Sequence, residues 1–140
     1  MGDAQAVAVL PSGGPLQFGA LDAQLYSTFP ADERGRVVAL MQGQATPLAD
    51  MVDKEITIRH ILAHTVEKVD EKTGEVTALL RIVVQGADGE AYQTTSNGIR
   101  DSIRLLAKFY GLPPWPEGLK VRVLSIRTRR GFKTFTLSPV

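Results

Sequence analysis

One stretch, from Glu55 to Gln85, restricts the fold of this chain more than any other. Ile, Thr and Val dominate Glu55 to Val69, with Ile56 and Ile58, and later Leu62 and Val66, read as one alternation. Period-two alternation of β-branched residues fits a strand with one buried face and does not gather on one side of a helix. Asp70-Glu71-Lys72-Thr73-Gly74 is a polar turn closed by glycine, a hairpin connection longer than two residues. The alternation resumes from Glu75 to Gln85. Val76, Ala78, Leu80, Ile82 and Val84 face one way; Thr77, Leu79, Arg81, Val83 and Gln85 face the other. A long antiparallel hairpin is therefore expected, and nothing here supports a parallel βαβ layout.

The remaining elements fall into place around that hairpin. Ala87-Asp88-Gly89 marks a second turn, and Ala91 to Thr95 a short third strand. Ser96 is expected to cap a helix in which Ile99, Ile103, Leu106 and Tyr110 follow at i, i+4, i+7 and i+11. Gly111 ends it, and Pro113, Pro114 and Pro116 prevent its continuation. Leu119 to Arg127 and Phe132 to Leu137 are two further strands, joined through the tight turn Arg129-Arg130-Gly131. The order β-β-β-α-β-β is that of an OB-fold, a mainly β, five-stranded antiparallel Greek-key barrel with a helix between strands three and four. An α+β sandwich, with one helix across an antiparallel sheet, shares that order. Residues 48–140 are assigned to the barrel. Residues 1–29, Gly/Pro-rich and aperiodic, are expected to form a flexible or extended arm. Residues 30–47 are read as a short helix and linker, with Asp32 as N-cap and Val37, Val38, Leu40 and Met41 as its apolar stripe.

Several function classes drop out at this point. No apolar run approaches the ~18 residues of a membrane span, and the first ten residues, with Asp3 and no basic cluster, do not read as a secretory signal. A cytoplasmic location follows as the expectation. Without cysteine there is no disulfide, no thiolate nucleophile and no Cys-based zinc site. His60 and His64 would suit a metal on a helix, but on a strand at ~3.3 Å per residue they stand roughly 13 Å apart. No nucleophile elbow, P-loop or dinucleotide fingerprint occurs. Asp50, Asp53 and Glu55 read as a solvated acidic stretch before the first strand. No enzyme activity, metal or cofactor is expected.

Charge gives the positive lead. The formal net of +1 hides a division: residues 1–90 hold seven Lys/Arg against thirteen Asp/Glu, and residues 91–140 hold nine against two. The halves thus carry −6 and +7, which points to a polyanion-binding face in the C-terminal part. Single-strand binders join a basic groove, which follows the phosphates, to aromatic rings that stack on bases. In an OB-fold that surface is the face of strands two and three, flanked by the one–two and four–five loops. The candidate phosphate contacts are Arg81 on strand two, Arg122 and Arg127 on strand four, and Arg129, Arg130 and Lys133 at the last hairpin. Tyr92 and Phe132 are the candidate stacking rings. Phe135 and Leu137 are assigned to the core, and Trp115, among three prolines, to plugging one end of the barrel. The cations Arg100, Arg104 and Lys108 are read as a solvated helix face.

The chain from Leu48 to Leu137 also resembles the single-stranded DNA-binding proteins of bacteriophages and related mobile elements. The likeness runs through Leu48-Ala49-Asp50, Thr73-Gly74-Glu75, Thr95-Ser96-Asn97-Gly98-Ile99, Gly111-x-Pro113-x-Trp115 and Thr128-Arg129-Arg130-Gly131-Phe132-Lys133-Thr134-Phe135-Thr136-Leu137. It implies an OB-fold and sequence-independent protection of single strands in replication or recombination, with single-stranded DNA as partner and replication or recombination proteins as further ones. The sequence ends Leu137-Ser138-Pro139-Val140, without the acidic tail that many single-strand binders use for recruitment. Two rival readings share the fold. One is an assembly module of a phage particle that self-associates through the arm; the other is an RNA binder.

Overall fold

The computed structural model describes Leu25–Val140, so most of the expected arm, residues 1–24, lies outside the described residues. Among the described residues seven strands form one mixed sheet, with two α-helices against it. In chain order they are β1 (Leu25–Ser27), α1 (Arg34–Met41), β2 (Thr46–Pro47), β3 (Glu55–Val69), β4 (Val76–Gly86), β5 (Ala91–Thr94), α2 (Asn97–Tyr110), β6 (Leu119–Arg127) and β7 (Lys133–Pro139). The sheet order is β2-β5-β4-β3-β6-β7, with β1 added to β3.

The fifteen-residue β3 is the spine, because it serves several neighbours. Glu55 to Ile58 pair with β6, Leu62 to His64 pair with β1, and Ile58 to Val69 pair with β4. A register irregularity between Ile58 and His60 changes which side chains point inward. Ile56 and Ile58 enter the main core, but beyond the irregularity Ile61 and Ala63 do, while Leu62 turns to the opposite face. The single alternation expected from Ile56 to Val66 is therefore corrected: one extra residue on one strand flips the parity of everything after it.

Two apolar clusters result, one on each face of the sheet. The main core gathers Ile56, Ile58, Ile61, Ile82, Val84, Val121, Val123 and Leu137 from the strands and seats Ile99, Ile103 and Leu106 of α2 among them. Trp115 joins this cluster, its indole N–H donating to Gly111 O at 3.0 Å. On the outer face, Phe29, Val37 and Leu40 cover Leu62, Val83 and Ala91. Residues 30–47 thus do more than link. Through α1 they supply an outer layer on the β3–β4 face.

The five-stranded antiparallel barrel is corrected in three respects. The sheet gains β1 and β2, β2 runs parallel to β5, and among the described residues no ladder joins β5 to β7. The mainly β, curled, OB-like character stands. Side chains bridge the opening. Ser96 Oγ meets Thr134 Oγ1 at 3.0 Å and accepts from Phe135 N–H at 3.4 Å, and Ser102 Oγ accepts from Leu137 N–H at 3.1 Å. Pro139 has no N–H to expose, so three successive outward positions of this free edge offer no bare amide. Ser96 stands at the N-cap of α2 as expected, but its hydroxyl makes no cap bond to the helix and is spent across the gap.

Candidate functional site

The β6–β7 hairpin is closed by its own chemistry. Thr128 N–H donates to Phe132 O at 2.8 Å, Gly131 N–H to Thr128 O at 2.9 Å, and Phe132 N–H to Thr128 Oγ1 at 3.2 Å. Gly131 has φ +82°, a left-handed conformation that a residue without Cβ adopts freely. Arg127 Nη1 clamps the tip by donating to Gly131 O at 3.2 Å. A rigid tip results, and it carries Arg129, Arg130 and Lys133 in solvent with Phe132 67% exposed among them. Among the described residues none of these three cations has a hydrogen bond or an ion pair with a neighbour. An exposed phenyl ring among unpaired cations suits a ligand that is both anionic and flat.

Opposite the tip lies the junction of β5 and α2. Thr94, Thr95, Ser96 and Asn97 form one wall of an open groove of about 470 Å³, and Thr128, Phe132, Lys133, Thr134 and Phe135 the other. Hydroxyls and one amide line the first wall. These can donate to phosphate oxygens or accept from base edges, and a ring and a cation face them. The β5–α2 wall escaped sequence reading. Its signals were a polar run at the helix cap and the Thr95–Ile99 stretch of the family likeness, and its place beside the hairpin depends on how α2 packs against β7.

Four of the eight candidate residues, Arg129, Arg130, Phe132 and Lys133, come together at this tip, and Arg127 supports it from below. The other three stand apart. Arg122 is bound to the acidic part of the chain: Nη2 pairs with Glu55 Oε2 at 2.8 Å and Nη1 donates to Asp53 O at 3.0 Å. Lys120 joins the same carboxylate at 3.7 Å. Tyr92 is half-buried against the core and lines a different concavity with Glu55, Thr57 and Asp88. Burial, and then the carboxylates of Asp88 and Glu90, raise its phenol pKa. An acidic setting of that kind repels a phosphate strand.

Arg81 does face outward, as its parity required, yet it is only 8% exposed because the outer layer lies over it. Its guanidinium donates to Leu40 O at 2.8 Å, His64 Nε2 at 2.9 Å and Gln93 Oε1 at 2.7 Å. The strand face on which OB-folds take a ligand is here occupied by the chain's own α1, and Arg81 fastens it down. With Arg81 buried, the hairpin groove is the open basic surface among the candidate residues.

The same hub fixes how stability responds to pH. Since Arg81 can only donate, His64 Nε2 must accept, which requires a neutral ring. Burial lowers the His64 pKa, with the Arg81 cation adding to it, and burial also lowers that of His60, which stacks on Phe29 at 4.8 Å. When pH falls, the unfolded chain takes up protons before the folded one. This share of stability is therefore complete above about pH 6.5 and is lost as pH falls through the lowered folded values. Thermal melts should be level from about pH 8 to 7 and drop as pH falls below about 6.5. His64→Gln, which keeps an acceptor for Arg81, should flatten that drop; an unchanged profile would show that the hub is not its source.

Comparison with known proteins bears on the groove. Residues 20–139 match the family model of the Phi29-type phage single-stranded DNA-binding protein. No curated protein and no solved structure matches the chain.

Proposed function

Since the chain belongs to the Phi29-type phage single-stranded DNA-binding protein family, we propose that it holds single strands in the groove between the β5–α2 junction and the β6–β7 tip. It would do so without sequence preference, protecting them in the host cytoplasm during phage-type replication or recombination. The observation that carries the placement is the unpaired set Arg129, Arg130 and Lys133 around the exposed Phe132 ring. The cations track successive phosphates, releasing counterions, while Phe132 stacks on a base. Thr94 to Asn97 supply neutral polar contacts on the far wall, which fix the strand's position without reading its bases. No chemical step is required of the site; binding is the activity proposed.

The test is a titration of oligo-dT, with duplex DNA and an RNA strand of equal length as competitors, across a range of salt. Binding should weaken linearly on logarithmic axes with a slope near −0.7 per phosphate neutralised, so about −2 from the three tip cations alone. Phe132→Ala should remove one stacked base, a loss of ~1–3 kcal/mol or roughly 5- to 150-fold in affinity, with little change in slope. Equal affinity for duplex and single strand would refute the reading, and preference for the RNA competitor would redirect it.

A further inference from the structure

Two exposed apolar patches with opposite charged surroundings remain unexplained by the core or by the groove. We propose that copies of this chain join head to tail, the β3–β4 hairpin tip of one copy seating on the C-terminal half of α2 of the next. Its place of action, along a coated strand, rests on the single-strand reading; the contact itself is read from the two surfaces.

The hairpin tip is the first of them. Val69 and Val76 oppose each other across the ladder, and they are 57% and 58% exposed. Register places Glu67 and Ala78 on the same face, while Lys68 and Thr77 take the other. Asp70, Glu71 and Glu75 crowd the turn, with Lys72 their single cation. The turn is held firmly: Asp70 N–H donates to Glu75 O at 2.8 Å, Gly74 N–H to Asp70 O at 2.7 Å, and Lys72 N–H to Asp70 Oδ1 at 2.8 Å. An apolar pair inside an acidic surround is thus presented on a fixed support.

The second surface is the end of α2. Leu105 and Phe109, one helical turn apart, are 56% and 77% exposed, and Tyr110 and Leu112 follow at 51% and 45%. Arg104 and Lys108 stand beside them, and no acidic residue occurs between Asp101 and Glu117. Here the apolar stripe lies in a basic surround. Isolated exposed apolar residues are ordinary, but Leu105 and Phe109 share one helix face, with Tyr110 and Leu112 at the helix end beyond them, and a cluster of this kind marks an interaction surface. Apolar area on one side meets apolar area on the other, acid meets base, and both belong to one sequence.

Geometry sets the strength and the form of the contact. Patches of a few side chains bury less than the ~1,200 Å² of a standard stable interface, so free copies should associate weakly. A shared DNA strand raises their effective concentration and makes the contact count. Contacts between two different surfaces are heterologous and extend from copy to copy, as coating a strand requires.

The test compares oligo-dT that holds one copy with oligo-dT that holds several, alongside sedimentation of concentrated protein without DNA. Wild-type chain should bind the longer strand cooperatively and self-associate weakly without DNA. Phe109→Asp and Val76→Asp, both on exposed positions, should each reduce cooperativity at least tenfold and leave one-copy affinity within twofold. Lys108→Glu should do the same, and adding Glu71→Lys to it should restore association by exchanging the charges. The contact is overturned if cooperativity survives Phe109→Asp, or if wild-type shows neither cooperativity nor DNA-free association. Failure of wild-type to bind the one-copy strand overturns the single-strand reading instead, and sedimentation still reports on the contact.

Discussion

Replacing Arg129, Arg130 and Lys133 together with alanine should weaken oligo-dT binding by a hundredfold or more at low salt, and reduce the salt slope by about 2. The two effects have one cause. On the proposed reading each of these cations would neutralise one phosphate and release its counterion, at about −0.7 of slope apiece on a single strand. The fold should not notice the change, since all three side chains are exposed and have no bond to any described residue. Losing three like charges from one turn can only relieve repulsion there. Arg122→Ala makes the informative control. Its guanidinium is already neutralised by Glu55 at 2.8 Å, so its removal should shift affinity by less than about threefold and leave the slope nearly unchanged. A triple variant with the wild-type slope, read by fluorescence titration, would move the phosphate path off this hairpin.

Gly98→Ala should be the most destabilising single methyl addition among the described glycines, by about 3 kcal/mol, which corresponds to a melting temperature lower by roughly 10 °C. Helix propensity predicts the opposite sign, since alanine is favoured over glycine within a helix by up to ~1 kcal/mol. Packing overrides it. A Cβ at position 98 would overlap the Phe135 carbonyl oxygen and lie 2.5 Å from Thr134 Oγ1. The first obstacle is backbone in the middle of β7, where the ladder to β6 leaves no room to yield. The helix start would have to lift away, breaking the Ser96–Thr134 bridge and misplacing one wall of the groove. Single-strand affinity should accordingly fall with stability. Gly35→Ala offers the contrast within α1, because nothing lies within 4 Å of its Cβ position; it should be neutral or stabilising by up to ~1 kcal/mol. Calorimetry on the pair decides the matter, and equal melting temperatures would contradict the close packing of α2 on β7.

The hairpin tip was legible in sequence because it is local. Thr128 to Lys133 form a turn whose bonds lie within five residues, so cations, glycine and aromatic ring stay together in any fold that keeps the two strands. The pairing of Arg122 was not legible because its partner is remote: Glu55 lies 67 residues away in the chain and across a strand pair. Tyr92 and Arg81 were placed on the proper strands, yet the surroundings that set them apart from the tip come from elsewhere. In one case these are the acidic turn at Asp88 and Glu90 beside a half-buried ring, in the other a short helix 41 residues earlier.

Local patterns thus determined the elements, the hairpin turns and the charged tip, since period-two alternation, glycine stops and a 3.6-residue stripe act over neighbouring residues. The tertiary structure decided three things that no window of sequence contains. The irregularity at Ile58–His60 reversed the faces of β3, because parity is counted along the strand and one residue changes every later position. The outer layer of Phe29, Val37 and Leu40 covered the outer strand face, because apolar side chains on that face needed a cover and α1 was within reach. The groove then arose where α2 meets β7, two segments joined by the serine bonds to the edge amides and by a glycine small enough to let them touch.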